Sequence, residues 1–264
     1  MEIFRFEWKQ YRRSVWVWSI GIAVAIIVLL PLFMNLTDGT TDVSALLEGN
    51  ALAEGMGINI DLFFTPLGIF AYLSSFIALA GAIQAMNLGL SIITKEHIQN
   101  TADFLMTKPH TRKYVLLSKF LSACYCLTIT WACFFAASLG TLFLSAGTDF
   151  SFGTFSKLFL LFPMIQLLFL LLGIFVSIVV SRINSTLPLA MGVSFGLFVI
   201  GMFSSVVQSD VARIFSPFKY FNTNVILESG GFETGYLALY FLLLALFAIL
   251  GYTVFVRKDM KMVL

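Results

Sequence analysis

Residues 94–119 read TKEHIQNTADFLMTKPHTRKYVLLSK. The stretch separates two long apolar runs. It holds both histidines of the chain and five of its sixteen Lys and Arg residues, Lys95, Lys108, Arg112, Lys113 and Lys119. Everything around it is apolar in character: of 264 residues 59% are hydrophobic and 11% charged, with a mean hydropathy of +0.94. Soluble domains carry about 45–50% apolar and about 25% charged residues, which excludes an ordinary soluble domain. A net charge of +2 is too small to point to nucleic acid, so none is expected as a partner. The stretch reads as an aqueous segment held between two membrane spans.

A helix needs about 20 apolar residues to cross about 30 Å of hydrocarbon. Six runs qualify: Val15–Leu36, Leu67–Ile93, Phe120–Ala146, Leu158–Val180, Leu187–Val207 and Tyr236–Val256, none with an Asp, Glu, Lys, Arg or His. Each such residue at mid-membrane would cost about 2.5–3.5 kcal/mol on the insertion scale. The first run exceeds the roughly 7–15 apolar residues of a cleaved signal peptide, so it is expected to stay. The expected fold is an all-α integral membrane protein, one transmembrane domain over residues 1–264.

Charge placement orients it. Arg5, Lys9, Arg12, Arg13, Lys95, Lys108, Arg112, Lys113, Lys119, Arg182, Arg257, Lys258 and Lys261 fall on one side, and only Lys157, Arg213 and Lys219 on the other. Basic loops stay in the cytosol. Both termini and residues 94–119 are therefore expected there, in a multi-pass plasma membrane protein of a bacterial cell. An even number of spans also requires the termini to share a side.

The opening residues mix Phe4, Phe6, Trp8, Tyr11 and Trp16 with basic residues, which suits an interfacial helix lying in the headgroup layer. On the outer side, residues 37–66 carry Asp38, Asp42, Glu48, Glu54 and Asp61 without a Lys or Arg. Their spacing fits no calcium loop, and a solvated acidic loop with short helical pieces is expected. The second outer segment, residues 208–235, contains Ile214, Phe215, Pro217, Phe218, Tyr220 and Phe221. It is too apolar for a loop in water and is expected to pack on the span mouths, where protein shelters its backbone.

Chemistry is sparse. There is no GxxxxGK[ST] and no HExxH, so neither a phosphate loop nor a zinc protease helix is present. Gly192-Val-Ser194-Phe-Gly196 matches G-x-S-x-G, but a nucleophile elbow needs a strand-turn-helix and a reachable histidine. Inside a span the same glycines read as a small-residue helix-packing face. Cys124, Cys126 and Cys133 share one apolar run and read as buried hydrophobes rather than metal ligands or disulfides. No catalytic residue and no metal site is expected, and the chain is not expected to be an enzyme. Four polar residues lie within spans: Gln84, Asn87 and Ser91 on one face of the second, and Gln166 in the fourth beside Pro163. They either hydrogen-bond between helices or line a translocation path.

Within the quoted stretch, Asn100 or Thr101 can cap a short helix, Asp103 favours its positive end, and Pro109 stops it. Phe104, Leu105 and Met106 form an apolar knob, and Arg112, Lys113 and Lys119 lead back to the membrane. A basic loop with its knob in the headgroups is one reading; a docking element for another protein is the other.

The loop resembles the one after the second span in ABC transporter permeases of the type-2 exporter class. There an acidic residue, a Gly-Thr, a hydrophobic cluster, a Pro, a Ser-Arg and a Lys lead into the third span. The matching positions are Glu96, Thr101, Phe104 with Leu105, Pro109, Thr111 with Arg112, and Lys119, while Asn100 and Thr111 stand where that class has Gly and Ser. The resemblance implies that this loop is a coupling helix, docking a separate cytosolic ABC ATPase through Glu96, Thr101, Phe104, Leu105, Met106, Pro109, Arg112 and Lys113. It implies that ATP and Mg belong to that partner, with no cofactor in this chain, and that a second permease copy or relative completes the unit. The expected function is the permease subunit of an ATP-driven exporter moving an amphipathic or hydrophobic cargo, a peptide antibiotic or lipid-like molecule. The alternative is a non-transporting scaffold or sensor that docks a cytosolic partner.

Overall fold

The computed structural model describes residues 2–38, 60–98, 112–180 and 183–257. In chain order they form α1 (Glu2–Asp38), α2 (Ile60–Phe63), α3 (Pro66–Ile98), α4 (Arg112–Ala146), α5 (Phe152–Val179) and α6 (Thr186–Val207). Then come α7 (Asp210–Ile214), a 3₁₀ turn at Pro217–Lys219, α8 (Thr223–Ser229) and α9 (Thr234–Arg257). Among the described residues there is no strand. Six of the helices, α1, α3, α4, α5, α6 and α9, are long and apolar enough to cross a membrane, the number expected from hydropathy.

The opening segment differs from expectation. It is not a separate interfacial helix but the first turns of α1, which runs unbroken through Pro31 to Asp38. No Gly or Pro lies between Glu2 and Ile20, so nothing in the sequence interrupts the helix. At 37 residues α1 is about 55 Å long, taking roughly 1.5 Å per residue. With 33 residues in α3 and 35 in α4, all three outrun about 30 Å of hydrocarbon. Their polar ends, the start of α1, the end of α3 and the start of α4, project together as a three-helix stalk. Residues 99–111, which join α3 to α4, lie outside the described residues.

The bundle is centred on α3, packed most closely against α5, while α1 pairs with α4. Glycines set the α3–α5 distance. A methyl group at Gly89 would sit 2.4 Å from the Leu170 carbonyl oxygen, and one at Gly173 would sit 2.6 Å from that of Met86. Small residues permit such backbone approach, which a membrane rewards because packing must replace the missing hydrophobic drive. Farther along, Phe134 of α4 packs against the tilted ring of Phe162 of α5, at 4.6 Å, and stacks on Phe70 of α3, at 6.3 Å.

Among the described residues, the Gly192–Gly196 face makes no packing contact within this chain. Both glycines are exposed, and a methyl group at either would meet nothing within 4 Å. The face is small but points out of the bundle, because α6 turns the buried Ala190, Ser194, Gly201 and Ser204 inward instead. Ser194 donates to the Met86 sulfur, and the three cysteines are free.

The segment between α6 and α9 folds onto the bundle as expected. Gln208 ends α6 in the left-handed region at φ 51°, and Ser209 then caps α7. Gly201 gives the 3₁₀ turn room to lie on α6: a methyl there would be 2.4 Å from Ser216 Oγ, which donates to the Leu197 carbonyl at 2.8 Å. Pro217, Tyr220, Phe221 and Ile226 are buried. Arg213 donates to the Lys219 carbonyl at 2.9 Å and to Glu233 at 2.8 Å, with its guanidinium 3.8 Å from the Tyr236 ring. Lys157 at the start of α5 donates to the Gly230 carbonyl, fixing α8 to the bundle. Of the acidic loop expected at 37–66, residues 39–59 lie outside the described residues.

Candidate functional site

The stalk is held by charge. Glu7 of α1 is 1% exposed, and it lies between Lys95 at the end of α3 and Lys119 in the second turns of α4, 8% and 1% exposed. Lys95 donates to the Glu7 carboxylate and, at 2.9 Å, to Gln10 Oε1. Its ammonium also stands 5.3 Å from the rings of Phe6 and Tyr11. Lys119 lies 3.7 Å from the other carboxylate oxygen and donates to the Ile92 carbonyl at 2.6 Å. One carboxylate thus binds both stems of the 99–111 connection to the first helix. Buried charges persist only when paired and hydrogen-bonded in this way.

The sequence carried a signal for Glu7 that hydropathy alone does not use. The buried face of α1 runs Glu7, Val15, Ser19, Ile22, Ile26, Leu30, a helical spacing of threes and fours and their sums. Glu7 sits on that stripe, so the carboxylate points inward. Lys119 does the same on α4, where it belongs to the buried series Val115, Lys119, Ser122, Ala123, Cys126, Thr130, Phe134.

A second polar chain crosses the bundle below the stalk. Ser19 of α1 hydrogen-bonds Thr130 of α4 at 3.0 Å; Gln84 of α3 donates to Thr130 at 2.8 Å; and Gln166 of α5 donates to Gln84 at 3.1 Å and to the Gly81 carbonyl at 3.2 Å. Trp131 Nε1 completes the chain on Gln166 Oε1. Four helices share these bonds, and both amides are buried and satisfied, as buried polar groups must be. Asn87 and Ser91 stand apart. Both are half-buried, and Ser91 bonds Thr186 of α6 at 3.0 Å. Gln84 and Asn87 border a cavity of about 300 Å³ that α1 closes with Gln10, Tyr11 and Ser14.

Of the docking residues expected from the sequence, Thr101, Phe104, Leu105, Met106 and Pro109 lie outside the described residues. Glu96 falls in the last turn of α3 and Arg112 at the start of α4. Lys113 is exposed, 6.0 Å from the Tyr252 ring of α9. That contact places the end of α9 beside the stalk, at the end of the bundle where α1 begins.

The arrangement offers a braced polar stalk and a membrane bundle with an internal hydrogen-bond chain. Comparison with individually curated proteins returns no match. Among models of known families, residues 1–260 match the one described as ABC-2 family transporter protein. Taken with its six membrane-spanning helices, that match means the chain belongs to the ABC-2 family, as a permease subunit of an ABC transporter that works with an ABC ATPase subunit.

Proposed function

We propose that the chain is the permease of an exporter in which the 99–111 connection receives the ATPase and the stalk passes the resulting movement to α1, α3 and α4 together. The observation that carries this reading is Glu7 bonded to Lys95 and Lys119. A push on either stem is shared with the first helix through that carboxylate, so the three helices tilt as one lever. The charge asymmetry supports a cytosolic location for this end. Phe104, Leu105 and Met106 are the contact on the ATPase, Pro109 ends the contact helix, and ATP and Mg reside in the partner.

A second copy or a related permease completes the unit. The exposed Gly192–Gly196 face of α6 is smooth enough for close helix approach by that partner. Gln84 and Gln166 act as ties between spans, while the half-buried Asn87 and Ser91 are the members of that group able to face a path between two permeases. Spans without ionisable residues favour an amphipathic or hydrophobic cargo over a free ion.

Inside-out vesicles containing the permease and its ATPase test the reading. ATP should drive accumulation of a fluorescent amphiphile, and Phe104→Asp should abolish it. Accumulation without ATP, or an unaffected Phe104→Asp variant, would contradict it.

A further inference from the structure

A cavity of about 400 Å³ opens at the end of the bundle opposite the stalk, between α3, α6 and the folded segment that follows α6. That volume is in the range of small-molecule sites, about 300–1,000 Å³. Its lining includes an aromatic and apolar group, Tyr72, Phe76, Phe198 and Met202, and the polar Gln208 and Asn222. Among the described residues three charged side chains line it, Asp210, Arg213 and Lys219.

Those three are not equivalent. Asp210 is exposed in the first turn of α7. Arg213 is already engaged by Glu233 and by the Lys219 carbonyl. Lys219 is half-buried, and among the described residues its ammonium makes no hydrogen bond or ion pair. Its aliphatic stem is pinned on α6, with Cγ 3.1 Å from where a methyl group on Gly201 would lie. Burial, and then the neighbouring Arg213 charge, pulls its pKa below the ordinary lysine value. Among the described residues this partly desolvated cation has no carboxylate within ion-pair distance, although it shares its cavity with aromatic side chains.

We propose that this cavity binds an anionic amphiphile, with its phosphate or carboxylate on Lys219 and its apolar portion along Phe76, Phe198 and Met202. The anion restores to Lys219 the hydrogen bonds that burial removed, and the aromatic and apolar group takes the part that water rejects. Arg213 serves as a positioning residue, holding the 3₁₀ turn that presents Lys219. That the occupant is transported cargo rests on the permease reading above; the binding does not.

The test uses the full chain in nanodiscs of neutral phosphatidylcholine, without an ATPase. Titration calorimetry compares decyl phosphate, monodecanoylglycerol and inorganic phosphate, against nanodiscs without protein. Saturable binding of decyl phosphate is expected, at least tenfold weaker in Lys219→Gln and retained in Lys219→Arg, with equal thermal melting confirming that all three proteins are folded. Inorganic phosphate alone and monodecanoylglycerol should each bind at least tenfold more weakly than decyl phosphate. Unchanged affinity in Lys219→Gln, or equal affinity for either comparison compound, would overturn the proposal: the first removes Lys219, and the second removes the tail or the charge. Absence of saturable decyl phosphate binding by the unaltered chain would also overturn the proposal, while leaving the permease reading to the separate vesicle assay above.

Discussion

Replacing Glu7 with Gln keeps the side-chain shape and removes the charge on which the stalk converges. At 4 Å and an effective dielectric near 20, a unit charge pair is worth about 4 kcal/mol before desolvation is counted. Glu7 has two such neighbours, Lys95 in direct contact and Lys119 at 3.7 Å, all three at most 8% exposed. Removing one partner of a buried ionic group costs about 3–5 kcal/mol, because the remaining charges stay desolvated. Glu7→Gln should therefore shift the folded-to-unfolded ratio by roughly a hundredfold or more, at about 1.4 kcal/mol per tenfold. The assay is unfolding in mixed detergent micelles followed by helical circular dichroism, with the exposed Lys9→Gln as a control expected within about 0.5 kcal/mol of the unaltered protein. A double-mutant cycle with Lys95→Met should show the two changes to be non-additive by about 0.5–3 kcal/mol. If Glu7→Gln melts like Lys9→Gln, or if the cycle is additive, the ionic brace is not what holds the stalk.

Other outcomes follow from the same geometry. Gly89→Val should destabilise the bundle by about 1–3 kcal/mol or more, since even a methyl there would meet the Leu170 carbonyl at 2.4 Å; Gly192→Val, facing open space, should leave monomer unfolding unchanged. Gln166→Leu strands Trp131 Nε1 and part of Gln84 and should cost about 1–3 kcal/mol in the same assay. Arg213→Met removes the bonds to Glu233 and to the Lys219 carbonyl, so limited proteolysis should cut residues 208–235 faster than in the unaltered protein. The Tyr220 hydroxyl, which donates to the Ile214 carbonyl, has its pKa pushed up to about 12, by burial first and then by Tyr236. A raised pKa means that the neutral form is favoured in the fold. This contribution should be complete below about pH 10, the unfolded value, and be lost as pH rises toward about 12. Tyrosinate absorbance in Tyr220→Phe against the unaltered protein reads it directly.

What the sequence made legible was whatever a single helix expresses alone. Each span announces itself by about 20 residues of hydropathy, and the basic residues group at one end because of how chains insert. The apolar character of Phe215, Phe218 and Phe221 likewise forecast a folded segment rather than a loop. What escaped depends on pairs of helices. The close packing at Gly89, where an added methyl would meet the Leu170 carbonyl, needs the α5 backbone opposite it, whereas a methyl at Gly192 or Gly196, identical in type and spaced by four, would meet nothing within 4 Å. Local composition cannot tell those cases apart. The aromatic and basic start of α1 looked interfacial for a related reason. Its amphipathic pattern is equally satisfied by two neighbouring helix ends, and those ends bury Glu7 where a membrane surface would have left it in water.

The coupling mechanism is tested most directly by purifying the intact chain from its native membrane in mild detergent, beside Phe104→Asp and Glu7→Gln. It predicts that a P-loop ATPase accompanies the intact chain, is lost with Phe104→Asp, and remains with a well-folded fraction of Glu7→Gln while its hydrolysis no longer responds to the permease. Absence of an ATPase from the intact chain, or its undiminished recovery with Phe104→Asp, would contradict the mechanism.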